Sequence, residues 1–137
     1  MPLSALKFDN RLLKKLPGDP ETVNYCRRVE NAAYSYVQPT PTRVPSLIAV
    51  SHNLAELLGF KNIDLHSDRF LQVMTGNQLL PGMKPYSLCY GGHQFGQWAG
   101  QLGDGRAINL GELSTDAIGR QTLQLKGAGK TPYSRHA

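Results

Sequence analysis

The chain is 137 residues long and 40% hydrophobic, enough to build the core of one small domain or one lobe of a larger one. Its composition, with 14 glycines and 9 prolines, points to many turns and excludes collagen-like, coiled-coil and fully disordered classes. A formal charge of +5 admits nucleic acid, nucleotide phosphates or no charged partner at all.

The opening MPLSALKFDNRLLKK lacks the apolar stretch of a secretory signal, and no apolar run approaches the roughly 20 residues that span a bilayer. A soluble chain is expected, without membrane partners: cytoplasmic in a bacterium, with a mitochondrial location open in a eukaryote. Asn10 to Leu16 reads as a short helix whose Arg11, Lys14 and Lys15 form a solvated face. Pro17-Gly18-Asp19-Pro20 closes it as a strong turn signal. Glu21 to Val37 fits neither helical nor strand period, with Val23, Tyr25, Val29, Ala33 and Tyr36 irregularly spaced. Cys26 and Cys89 form no CxxC, so neither a disulfide framework nor a zinc site is expected, and the thiols are expected to be reduced.

Pro39, Pro41 and Pro45 impose an extended segment, because each biases its predecessor away from helix. Ser51 to Leu58 predicts a helix capped by Ser51, with Leu54, Leu57 and Leu58 on one face and Gly59 as the stop. A second helix is expected from Ser67 to Met74, with Phe70, Leu71 and Met74 inward and Gly76 ending it. Pro81-Gly82 and Pro85 mark another turn region. The organisation expected is a mixed segment with short helices over residues 1–89, then a glycine-rich loop and β-hairpin over residues 90–137.

The character changes at Tyr90. YGGHQFGQWAGQLGDG, residues 90–105, holds six glycines in sixteen positions. That density argues against a helix interior or strand centre, where each glycine costs roughly 0.5–1 kcal/mol. Two strands follow by alternation. In Ala107 to Leu113, Ile108 and Leu110 oppose Ala107, Asn109 and Gly111; in Thr122 to Lys126, Leu123 and Leu125 oppose Thr122, Gln124 and Lys126. Ser114 to Arg120 reads as their hairpin loop.

Charge is distributed unevenly here. No carboxylate side chain follows Asp116, while Arg120, Lys126, Lys130 and Arg135 all do. Such a stretch needs an anion, or carboxylates supplied from elsewhere. If Leu123 and Leu125 face the core, Lys126 faces a cleft with Gln124 and Thr122. The hairpin would then bring Lys126 toward Gly103-Asp104-Gly105-Arg106. Gly103 and Gly105 would let backbone N–H groups close on phosphate oxygens, Arg106 would grip them in a fork, and Lys126 would add a point charge. The bland alternative is a tight turn beside a solvent-exposed lysine.

Other motifs are weaker. Gly127-Ala128-Gly129-Lys130-Thr131 ends like a Walker A loop but has Gln124 where that motif needs glycine. His52, His66, His93 and His136 have no metal-ligand spacing, and His93 is expected to be a satisfied structural histidine. Ser134-Arg135-His136 is no triad. Tyr90, Phe95 and Trp98 could stack on a base, although core packing is the commoner fate.

Three stretches resemble the SelO (YdiU) family: Tyr90 to Gly96 continuing through Trp98 to Ala107; Leu123-Gln124-Leu125-Lys126-Gly127-Ala128-Gly129; and Thr131-Pro132-Tyr133-Ser134-Arg135. Phe8-Asp9-Asn10 and Pro17-Gly18-Asp19-Pro20 fit as well. The resemblance implies an α+β, protein-kinase-like fold, here a partial N-terminal lobe. It implies ATP bound in a flipped orientation, with AMP moved to Ser, Thr or Tyr hydroxyls of proteins using magnesium, and UMP transfer using manganese. Gly103, Gly105, Arg106 and Lys126 match its nucleotide-binding positions. Its catalytic and metal-binding acids lie downstream of Ala137, so no catalytic or metal residue is assigned here. A fragment inactive by itself is expected, and no specific nucleic acid. The alternative is a non-catalytic nucleotide- or nucleic-acid-binding module.

Overall fold

The computed structural model describes residues 3–135; His136 lies outside the described residues. In chain order the elements are α1 (Arg11–Lys15), β1 (Tyr34–Tyr36), α2 (His52–Leu57), α3 (Asn62–Leu65), α4 (Asp68–Met74), β2 (Tyr86–Leu88), β3 (Gly91–Gln94), β4 (Gln97–Gln101), β5 (Ala107–Thr115) and β6 (Gly119–Lys126). The class is α+β. One antiparallel sheet runs β1-β2-β5-β6, and β3 and β4 pair separately as a two-stranded ribbon.

The helices are short, and local chemistry sets their ends. Ser51 Oγ accepts from Leu54 N, and Ser67 Oγ accepts from Phe70 N at 3.1 Å, each satisfying an orphan donor of the first turn. Gly59 and Gly76 stop α2 and α4 region by region with left-handed φ of 82° and 76°. The inward faces differ in detail from expectation. In α2 the buried residue is Ala55, followed by Leu58, while Leu54 and Leu57 are exposed. In α4, Phe70 and Val73 are buried, and Leu71 and Met74 only half-buried. So short a helix turns toward the core whichever residues its flanking turns select.

β5 is the spine of the molecule. Ile108, Leu110 and Leu113 are at most 2% exposed and join the core that includes Phe60, Phe70 and Val73. Full burial of each such side chain contributes about 1.5–3 kcal/mol. The expected alternation fails in this strand, because its other face is covered too. A bulge interrupts the register between Asn109 and Gly111. The chain before and within α1 packs over this stretch: Asn10 Nδ2 donates to Gly82 O at 2.7 Å, its Oδ1 accepts from Glu112 N, and Glu112 Oε2 accepts from Leu12 N at 2.6 Å. By contrast β6 alternates as expected, with Leu123 and Leu125 half-buried and Thr122, Gln124 and Lys126 exposed.

The glycine run corrects the expectation most plainly. Gly91–Gln94 and Gln97–Gln101 form strands joined by a turn at Phe95-Gly96, whose φ angles are 53° and 77°. Glycine weakens a buried, side-chain-packed strand. Most residues of this ribbon are exposed and none is buried, so there is little packing to lose.

Candidate functional site

Where β5 begins and β6 ends, a cavity of about 820 Å³ opens on the face of the sheet that carries Gln124 and Lys126. Its walls include Gly103, Gly105, Arg106 and Lys126, the four residues singled out from sequence. Two features of β6 put the lysine there. The Ala107–Lys126 and Asn109–Gln124 pairs fix the register, and strand alternation sends Lys126 to the side opposite Leu125. Gly127 N donates to Arg106 O at 2.9 Å, so the backbones of the two cationic residues stay one hydrogen bond apart.

The role expected of the glycines needs correction. Their N–H groups do not point free into the cavity. Gly103 N donates to Tyr90 O and Gly105 N to Gly103 O, both at 3.1 Å, while Asp104 N donates to Leu88 O at 2.9 Å. Glycine is needed here for close approach. A Cβ on Gly103, which has φ +65°, would lie 2.5 Å from Tyr133 Cγ, and one on Gly105 would lie 2.9 Å from Tyr133 O. The turn therefore supplies shape, and the charged donors that line the cavity are side chains.

Those donors are cationic and without acid partners. Arg106, Lys126 and Arg135 line the cavity. The ion pairs among the described residues are Arg27–Asp19, Arg28–Glu30 and Arg120–Asp9, none of which uses a cavity cation. Arg120 thus takes its carboxylate from the start of the chain, whereas Arg135 Nη2 donates to the neutral Gln94 Oε1 at 2.9 Å and Lys126 forms no ion pair among the described residues. The cavity's one carboxylate, Asp104, is turned into the loop: its Oδ2 accepts from Leu88 N and Asn109 Nδ2 at 3.0 and 3.2 Å.

Behind Tyr133, which lines the cavity, runs a polar chain that sequence reasoning missed. Tyr133 Oη and Ser35 Oγ lie 2.7 Å apart, and Ser35 Oγ donates to Asp19 Oδ2, also at 2.7 Å. Arg27 Nη2 reaches the same carboxylate oxygen at 2.5 Å. Burial pushes the Tyr133 phenol up to about 12, so it stays protonated at neutral pH. Nothing in the local pattern around Ser35 announces a contact 98 positions away.

The aromatics overturn another expectation. Phe95 is 96% exposed, and Trp98 and Tyr90 are exposed as well, so core packing is not their fate. Tyr90 and Phe95 rim the cavity. Burial, with Asp104 nearby, shifts the Tyr90 phenol upward. His93 is also exposed, edge-on to Trp98 at 5.2 Å, and so is not a histidine satisfied in a core.

The Walker-like segment does not form a phosphate loop over its described residues. Thr131 is fully buried, its hydroxyl donates to Asp104 O at 2.7 Å, and the chain to Arg135 continues as a turn. No group of three or more His, Cys, Asp or Glu side chains gathers to hold a metal among the described residues. Asp104 alone, already engaged, does not fit a magnesium site. Both cysteines are free. No helix among the described residues is long and apolar enough to cross a membrane.

Comparison with known proteins agrees with the motifs. Three relatives, each called protein nucleotidyltransferase YdiU, match nearly the whole chain. The protein from Azoarcus sp. (strain BH72) is 58% identical over 135 residues, covering 98% of this chain and 26% of its own length. That from Aromatoleum aromaticum is 58% identical over 139 residues, covering 98% and 27%. That from Methylobacillus flagellatus is 55% identical over 132 residues, covering 96% and 26%. The chain therefore spans about a quarter of the length of these relatives. The family model described as protein adenylyltransferase SelO matches residues 21–137, and the chain belongs to the SelO family.

Proposed function

We propose that this chain forms the phosphate-gripping wall of the ATP site in a kinase-like protein nucleotidyltransferase. That enzyme moves AMP, with UMP as a second donor group, onto Ser, Thr or Tyr hydroxyls of proteins. In the transfer, a substrate hydroxyl oxygen bonds to the α-phosphorus, pyrophosphate leaves with the bridging electron pair, and the hydroxyl proton passes to a base. Arg106 and Lys126 offset the negative charge of the phosphates, with Gly103 and Gly105 shaping the turn beside them. We assign the base, and the acids that hold magnesium or manganese, to residues outside this chain. The 137 residues by themselves are accordingly expected to be inactive.

The observation that carries this reading is the convergence of Arg106, Lys126 and Arg135, free of carboxylate partners, on one cavity rimmed by Tyr90 and Phe95. Its volume, about 820 Å³, is in the range of small-molecule sites, around 300–1,000 Å³. Nucleic acid is less favoured, because a backbone-tracking surface spreads its cations along a groove. The test is Lys126→Ala in the full-length protein. Transfer of labelled AMP should fall about a hundredfold or more, as on removal of a group that meets developing charge, with the circular dichroism spectrum unchanged. Wild-type rates in a folded Lys126→Ala protein would overturn the proposal.

A further inference from the structure

The G-K-T run resembled a phosphate loop and is not one, which leaves the buried Thr131 and Ser134 without a role in the reading above. Thr131 sits behind the turn that shapes the cavity, and Ser134, beside it, also contributes to the cavity wall. Thr131 is 0% and Ser134 4% exposed. Thr131 Oγ1 donates to Asp104 O at 2.7 Å and accepts from Tyr133 N at 3.1 Å. Ser134 Oγ donates to Gly105 O and accepts from Thr131 N at 2.9 Å. Two hydroxyls thus hold two successive carbonyls of the 103–105 turn, and each also satisfies an amide of its own segment. Tyr133, between them, fills the space left by the missing Cβ atoms of Gly103 and Gly105.

This segment follows β6 directly, separated from Lys126 by a short loop. That loop is pinned at a second point, where Thr40 N donates to Ala128 O at 2.8 Å. The same stretch of chain therefore anchors Lys126 at one end and grips the turn preceding Arg106 at the other. We propose that Thr131 and Ser134 are positioning residues: their hydroxyls lock the Gly103–Gly105 turn so that Arg106 and Lys126 keep a fixed spacing across the cavity. This inference rests on the nucleotide reading of that cavity. It assigns neither hydroxyl any contact with the nucleotide.

Loss of a hydroxyl should loosen the turn and weaken nucleotide capture without removing a reacting group. In the full-length protein, Thr131→Val and Ser134→Ala should each raise KM for ATP about tenfold while kcat stays within about twofold. Thr131→Ser, which keeps the oxygen, should restore KM to near the wild-type value. A merely structural role would lower active-enzyme concentration, hence apparent kcat, and leave KM alone; that result overturns the proposal. So does an unchanged KM in both variants. Should Thr131→Val fail to fold, Ser134→Ala carries the test alone by the same readout. The two readings separate cleanly. Normal ATP affinity in Lys126→Ala sinks the nucleotide site itself. Lost affinity in Lys126→Ala beside an unchanged KM in Thr131→Val and Ser134→Ala sinks only the positioning role.

Discussion

Hairpins β3–β4 and β5–β6 are neighbours in sequence, and each is an antiparallel pair with one register shift, closed by a tight turn. Their relation to water is opposite. β5 buries eight of its nine residues, whereas β3 and β4 together bury none completely. Hydrophobic side chains hold β5 in place; the ribbon is held by its own ladder and by a few ties at its ends. At its base Gln101 Nε2 donates to Arg27 O and its Oε1 accepts from Val29 N; near its tip Arg135 donates to Gln94 Oε1. The cavity lies between the two hairpins, so one wall is set by packing and the other by a handful of polar contacts. Regions anchored so lightly open at lower free-energy cost than core strands.

The contrast can be broken by measuring stability on each side. Ile108→Ala removes a side chain with no exposed surface from β5 and should cost about 2–5 kcal/mol, read as a lower midpoint in urea unfolding. A loss below about 1 kcal/mol would remove β5 from its place as spine. Asp19→Asn probes the brace behind the cavity and should cost about 1 kcal/mol at neutral pH. Burial pushes the Asp19 carboxyl up, but hydrogen bonds from Ser35, Glu21 N and Arg27 outweigh it and hold it below its ordinary 3.8. A folded-state value below the unfolded one means that the stabilisation is complete above the ordinary value and lost as pH falls through the lowered one. The gap between wild type and Asp19→Asn should therefore close on acidification below 3.8; a gap that widens there contradicts the sign. Phe95→Ala, at the ribbon tip, should change stability by less than about 0.5 kcal/mol, since its ring has almost no contacts to lose. An effect as large as that of Ile108→Ala would abolish the distinction between the hairpins.

How far sequence reading reached follows the same division. The β5–β6 hairpin and the outward face of Lys126 were legible because period-two alternation and a local turn both specify them. Helices α2 and α4 were legible from their serine caps and glycine stops. Strands β1 and β2 were not, since each has three residues and pairs with a partner about fifty positions away. β3 and β4 were hidden by glycine, whose strand penalty matters little where no side chain packs. Gly103, Gly105, Arg106 and Lys126, singled out from sequence, line one cavity. What excludes a Cβ there was not foreseen: Tyr133 stands 30 positions beyond Gly103 and carries no pattern that ties the two together.

One consequence of the sheet order concerns handling of the protein. β6 is an outermost strand eight residues long, and no strand among the described residues pairs with its far side. Such a rail of unpaired amides and carbonyls invites a second chain to zip alongside. Two copies meeting there would each carry a net charge of +5, and that repulsion disfavours the ladder. Salt screens this repulsion, so concentrated stocks of these 137 residues should keep best at low ionic strength.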